Sequence, residues 1–453
     1  MNRLEGCSRA VPLLLIAVGL LALASVWATG YGVTDSVWAP AFLRGYALAW
    51  LCYVAAGIVV TRARARPRWL LVWIVLVAIG LRLVALEHTH RISADAYRYL
   101  WDGRVANAGL NPFRYPPDAP ELRGLRDESW RHINFKHIPT IYPPAAERLF
   151  ALLARVREAD IQAFRWTFAL FDLGCVLLLI PLLRRTGRPA ELAVWYAWCP
   201  LAAAESTAGA HVDSFGLFLL LLALLLTSRE DGRPGLASGI ALAASVMSKG
   251  FALLALPLFL RRGRWTTAAG FFVTSFLLLL PYLGAGSRLF AGLGSYMRAW
   301  ETNASLFIAI NEQLQKVVVD NFLAARIITL GLVLAIVAVL TWRLRPGLEA
   351  LLAATFIAFG AQLFIGAPTL PWYVLWLLPA LCWRAIPGLV LFTLTVSVQY
   401  YARWIYPGNR PMQYALLWAG YVPVYLLLIS QLVVSRATSR RPIPEPRPGL
   451  PTS

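Results

Sequence analysis

Hydrophobic positions along this chain come in long runs, not in the alternation of half-buried strands or the one-sided stripe of soluble helices. The runs fall at about 11–28, 41–60, 69–86, 163–183, 190–207, 213–228, 265–283, 322–342, 348–366, 371–383, 386–406 and 414–434. Most approach the ~20 residues that cross a hydrocarbon core as helix, and Trp and Tyr sit near their ends, where membrane interfaces hold them. Twelve spans are predicted; the short run at 371–383 is the least regular. A further apolar stretch, 235–260, carries Lys249-Gly250 in its middle and would begin and end at connections of the same charge. It is read as a re-entrant hairpin of two half-helices turning at Lys249-Gly250. The expected fold class is all-α: a polytopic membrane helix bundle.

Composition agrees with that reading. Of 453 residues 59% are hydrophobic and 14% charged, well under the ~25% of soluble chains. The net charge of +19 would suggest a nucleic-acid partner in a soluble protein, but its distribution argues against one. Arg-rich connections (61–68, 184–188, 229–233, 261–264, 343–345 and the tail from Arg436) alternate with connections 29–40, 205–214, 366–371 and 407–413, which hold one basic residue, Arg410. This is the positive-inside pattern, with both termini cytoplasmic. It places 87–160 outside the cytoplasm as a long loop with short amphipathic helices, holding 10 acidic and 11 basic residues. The expected organisation is an N-terminal pair of spans (1–68), a membrane module with its external loop (69–435) and a disordered tail (436–453). The five cysteines avoid the loop, so neither a disulfide framework nor a Cys-based metal site is expected there.

The candidate chemistry lies on the outer side. In Ile92–Arg104, helical spacing puts Asp95, Tyr99 and Asp102 on one face with Arg98 beside them. A bland amphipathic surface helix would give similar alternation, though such helices favour basic polar faces. A carboxylate at the end of a span, partly desolvated and beside an arginine, is equipped to act as a general base. Turn-rich segments follow, with Asn111 in Gly109–Pro117 and Tyr142 in Pro139–Glu147; they either pack against sugar rings or brace the loop. Glu205, His211 and Asp213 cluster between two apolar runs, where charge is costly unless paired or hydrated. They form a structural cap or a site, and their spacing matches no zinc motif. Lys249, one of three lysines against 39 arginines, could meet a phosphate or snorkel to an interface. Arg298, Asn303, Trp372 and Tyr373 are weaker marks on the same side. There is no Walker loop, dinucleotide fingerprint or Gly-x-Ser-x-Gly elbow, and no Asp-x-Asp pair to hold a metal–nucleotide sugar.

The order of these marks resembles the GT-C superfamily of membrane glycosyltransferases, and is most similar to bacterial polyprenol-phosphate-mannose-dependent mannosyltransferases. The resemblance runs from about 69 to 405, through Asp95 in SADAYRYLWDGR, Gly109 and Asn111-Pro112, Thr140–Pro144 (TIYPP), Pro200…Glu205…His211-x-Asp213, Lys249-Gly250, Trp300…Asn303 and Pro371-Trp372-Tyr373. Relatives commonly place the acidic loop after the first span; here two extra spans precede it. The resemblance implies an inverting transfer of a sugar, mannose or another hexose or pentose, from a polyprenyl-phosphate donor to a lipid or glycan acceptor. This would occur at the extracytoplasmic face of a bacterial inner membrane, without metal or cofactor. Asp95 would be the general base. Arg98, Tyr99, Asp102, Arg104, Asn111, Tyr142, Glu205, His211, Asp213, Lys249, Arg298, Asn303, Trp372 and Tyr373 would bind substrate, with Lys249 and Arg298 meeting the leaving phosphate. A transporter or lipid-linked-sugar flippase also has broken helices and buried charge, but no symmetry between halves is visible here. A ligase of whole oligosaccharides is a third class.

Overall fold

The computed structural model describes residues 14–26, 35–64, 66–87, 93–156 and 160–439; the start of the 11–28 run, Cys7 and the tail beyond Ser439 lie outside them. Among the described residues there is no strand. Seven helices are long and apolar enough to cross a membrane: Ala41–Arg62, Trp69–Leu86, Ile161–Arg185, Trp265–Ala299, Asn321–Trp342, Leu348–Ile365 and Arg410–Val433. The remaining expected spans are shorter or bent. Leu14–Val26 and Pro387–Tyr400 are short apolar helices, and Pro200–Ala208 meets Asp213–Leu225 at 118°. Prolines set several of these breaks. Pro200, Pro371, Pro379 and Pro387 each sit in the first turn of a new short helix, where a missing N–H does no harm. Hydropathy measures composition and is blind to such breaks.

The broken run at 190–208 is almost wholly buried, and its aromatic side chains are tied polar end first. Trp195 Nε1 donates to Thr61 Oγ1 (2.9 Å), Trp198 Nε1 to the carbonyl of Ile74 (3.0 Å) and Tyr53 Oη to that of Trp195 (3.0 Å). Between the 69–86 and 161–185 helices lies a buried ion pair that the apolar runs concealed. Arg82 and Asp172, both essentially inaccessible, pair at 2.6 Å, and Tyr196 Oη donates to Asp172 at 2.6 Å. Arg82 also donates to the carbonyl of Ala197. In an apolar surrounding such charges persist only because each has a partner.

The stretch from 235 to 264 doubles back on itself. Leu236–Val246 runs inward, the chain turns through an extended Lys249, and Leu256–Arg262 returns. Its two ends meet, the Arg264 N–H donating to the carbonyl of Pro234 at 3.2 Å. Gly239 packs against the backbone of Thr267, where a β-carbon would have no room. The Arg-rich connections gather at one end of the bundle. Arg185 donates to the carbonyls of Thr227 and Ser228, Arg188 pairs with Glu349, and Arg233 reaches the carbonyl of Arg262. The breaks at 204–213, 247–250, 299–304 and 366–371 lie at the opposite end, against the 93–156 segment.

Replacing Asp172 with Asn leaves the Arg82 charge buried without its counter-ion, which should destabilise the protein by roughly 3–5 kcal/mol. A thermal melt of the purified protein in detergent checks this. Pairing Asp172→Asn with Arg82→Met should recover most of the loss.

Candidate active site

Asp95 opens the helix Asp95–Asn107, which follows directly on residues 88–92, outside the described chain. Ser93 Oγ accepts from the Asp95 backbone N–H at 3.1 Å. The carboxylate is about 30% exposed, and it stands on the wall of a cavity of about 650 Å³. Arg98, Tyr142, Lys249, Trp372 and Tyr373 line the same cavity, together with Ser93, Phe135, Tyr296, Trp300, Thr302, Gln399 and Tyr400. Tyr142 Oη lies 3.4 Å from Asp95 Oδ2 as a donor.

Behind Asp95 a chain of buried polar groups leads away from the cavity. His211 Nε2 is 4.0 Å from Asp95 Oδ2, and its Nδ1 is 3.1 Å from Glu205 Oε2. Glu205 in turn accepts from Tyr400 Oη at 2.9 and 3.0 Å. The imidazole is fully buried and stacked on Trp372, with ring centroids 3.9 Å apart. The π turn Ala204–Ala208 and a left-handed Ala210 (φ 51°) aim these groups, and Gly209 leaves room where a β-carbon would strike the His211 ring. Arg165 fixes the turn by donating to the carbonyls of Thr207 and Ala85 (3.2 and 2.8 Å). Nδ1 faces Glu205, within 3.1 Å of both its carboxylate and its backbone carbonyl, and Nε2 faces Asp95 without a hydrogen-bond partner among the described residues.

Asp213 begins the next helix, fully buried. It accepts from Trp376 Nε1 at 2.8 Å and pairs with Lys249 Nζ at 3.2 Å. The ammonium also lies over the rings of Tyr142 and Tyr373, 5.5 and 5.2 Å from their centroids. Tyr373 and Tyr296 share a hydroxyl–hydroxyl bond at the cavity wall. A second acidic group lies under the helix that carries Asp95. Arg98 Nε pairs with Asp102 at 2.8 Å, and Thr140 Oγ1 donates to Glu147 Oε1 at 2.6 Å. Burial, and then the charge of Asp102, push the Glu147 carboxyl well above the usual carboxylate range. Burial raises Asp102 too, opposed by Arg98. The pair therefore keeps its proton on Glu147, the member without a guanidinium partner.

Thus the structure brings Asp95, Arg98, Tyr142, Lys249, Trp372 and Tyr373 onto one cavity, with Glu205, His211 and Asp213 directly behind. Other expected residues do not line it. Tyr99 is buried among Tyr142, Phe150, Phe164 and Phe168, and Asp102 serves as the counter-ion of Arg98. Arg104 pairs with Asp127 on the outer surface. Asn111 donates to the carbonyl of Tyr282, Arg298 lies exposed against its own helix beside Gly294, and Asn303 lines a separate hollow. Tyr296, Trp376, Gln399 and Tyr400 were missed. The only signal for them was a polar handle on an aromatic or amide side chain within or beside an apolar run. Among the described residues no three His, Cys, Asp or Glu side chains converge as a metal set.

Residues 9–262, more than half of the chain, match the MptA_B family, described as Alpha-(1->6)-mannopyranosyltransferase, N-terminal domain. The chain belongs to this mannosyltransferase family. No curated protein and no solved structure matches it. The matched region carries Asp95, Tyr142, Glu205, His211, Asp213 and Lys249, whereas Tyr296, Trp372, Tyr373 and Tyr400 come from beyond it. This membrane mannosyltransferase therefore closes its cavity with two parts of one chain.

Because Glu147 is protonated when folded and ionised when unfolded, its contribution is present at low pH and is lost as pH rises through its raised folded pKa. The stability of the mannosyltransferase should therefore fall as pH climbs past the ordinary carboxylate range. Glu147→Gln, which mimics the protonated acid, should flatten that slope in melts recorded as a function of pH; an unchanged slope would contradict the assignment.

Proposed function

We propose that the cavity transfers mannose from a polyprenyl-phosphate donor to a hydroxyl of a lipid or glycan acceptor, on the extracytoplasmic face. Asp95 takes the proton of the acceptor hydroxyl as its oxygen attacks the anomeric carbon. The bond from that carbon to the phosphate oxygen breaks on the opposite face, giving inversion, and polyprenyl phosphate leaves with the bonding electrons. Lys249 and Arg98, the two cations on the cavity wall, meet its developing charge. Tyr142 Oη orients the Asp95 carboxylate, and His211, anchored by Glu205, packs behind it. The observation that carries the reading is Asp95 on the wall of a cavity that also holds Lys249, in a chain of a mannosyltransferase family. A lipid-borne donor fits a site built at the ends of membrane helices. The gathering of arginines at the opposite end of the bundle supports the extracytoplasmic side, since such residues stay cytoplasmic.

Membranes supplied with radiolabelled polyprenyl-phosphate mannose and an acceptor test the chemistry. Asp95→Asn should lower kcat by about two to four decades, and Lys249→Gln by about two, with both proteins inserted normally. Transfer by Asp95→Asn at the parental rate would sink the general-base role. For sidedness, a cysteine at exposed position 128 (Glu128→Cys) should react with an impermeant maleimide in intact cells. Labelling only after the cells are opened would place the loop on the wrong face.

A further inference from the structure

Next to the site lies a second cavity, of about 250 Å³, that the proposed reaction leaves unused. Thr302 and Gln399 line both cavities, so the two adjoin. Its volume is on the scale of a single sugar ring and not of a prenyl chain.

The polar groups on its wall offer both acceptors and donors, chiefly amides and hydroxyls. Asn303 donates its side-chain amide to the carbonyl of Thr369 (3.1 Å), and Gln413 donates its own to the carbonyl of Tyr406 (2.8 Å). Each therefore has its amide oxygen left to receive a hydrogen bond. Gln399 Oε1 is buried and has no partner among the described residues, and the same holds for Thr395 Oγ1. The Glu301 carboxylate adds a charged acceptor. Against these stands one cation, Arg410, while the rings of Tyr414 and Phe392 supply flat apolar faces. An anion needs an excess of positive charge; a wall with one charge of each sign, amides and hydroxyls that both donate and accept, and aromatic faces calls for a neutral molecule rich in hydroxyl groups. Glu301 and Arg410 balance here, whereas Lys249 and Arg98 outnumber Asp95 on the wall of the first cavity. An unpaired buried acceptor is also costly, so Gln399 has a partner to gain from a bound hydroxyl.

We infer that this second cavity binds a sugar residue of the acceptor glycan, the one adjoining the residue whose hydroxyl faces Asp95. The inference rests on the reading of the first cavity as the transfer site. It makes the acceptor a chain of at least two sugars, held across both cavities, with Gln399 and Thr302 at the join.

Equilibrium binding to the purified full chain in lipid nanodiscs, without donor, tests it separately from catalysis. The probes are methyl mannoside and the methyl glycoside of an α-linked mannose disaccharide. The disaccharide should bind at least about tenfold more tightly, as one charge-assisted hydrogen bond and its neighbours allow. Glu301→Ala should remove most of that advantage, and Glu301→Gln, which keeps one acceptor oxygen, should remove less. Equal binding of the two mannosides would overturn the proposal, as would an unchanged preference in Glu301→Ala. Preferential disaccharide binding by a protein that transfers no mannose from polyprenyl phosphate would instead count against the proposed reaction and leave the sugar site standing.

Discussion

The ion pair between Asp213 and Lys249 is the contact on which the rest of the layout depends. Both charges are withdrawn from water, at a cost that only close pairing offsets. Asp213 sits just past the 118° bend between two apolar helices, and Lys249 at the tip of a hairpin whose ends meet elsewhere. Their attraction therefore pins two unrelated breaks together. The same tip holds the 93–156 segment, since the carbonyl of Met247 accepts from the backbone of Ala145 at 2.7 Å. Trp376, from a third break, completes the coordination of Asp213. A cavity at the end of the bundle follows because the helices that would have filled it stop short.

This explains why so many buried charges gather in a protein with so few. A broken helix exposes backbone carbonyls and N–H groups that an apolar surrounding cannot satisfy. Arginines answer the carbonyls: Arg165 serves Ala85 and Thr207, and Arg326 serves Trp300 and Ala367. With the backbone provided for in this way, His211 is held against Glu205 and Glu205 by Tyr400, and the carboxylate of Asp95 stays open to the cavity. Lys249 and Arg98 each keep a buried carboxylate partner while facing the same space, which fixes their positions before any substrate arrives. Preorganised charge of that kind needs little reorganisation as a leaving group develops its own.

Much of this was legible in the amino-acid sequence. The helical class followed from the apolar runs, and the break at Lys249-Gly250 followed from one lysine in an apolar stretch. The cluster of Glu205, His211 and Asp213 stood out because charge at the end of an apolar run needs a reason. The Arg-rich connections are gathered at one end, as their alternation along the chain implied. What could not be read was continuity. The runs at 190–207 and 371–383 are as apolar as true spans, yet prolines and buried aromatics turn them into short, interior pieces. Helical spacing grouped Asp95, Tyr99 and Asp102 correctly on one side of a helix. It could not say that of these three only Asp95 reaches the cavity, because that depends on the 144–153 helix packed against the other two. Arg82 and Asp172 were invisible for a related reason: Arg82 is the single charge of its apolar run and Asp172 one of two in its own, and only the fold pairs them.

The central claim is that the sugar is transferred in the cavity beside Asp95. A structure of the full chain with a non-hydrolysable polyprenyl-phosphate mannose analogue in a lipid nanodisc tests it most directly. The account predicts the phosphate against Lys249 and Arg98, the anomeric carbon facing the Asp95 carboxylate, and the prenyl chain leading out between helices toward lipid. An analogue bound at the arginine-rich end of the bundle, or seated with its sugar turned away from Asp95, would contradict it.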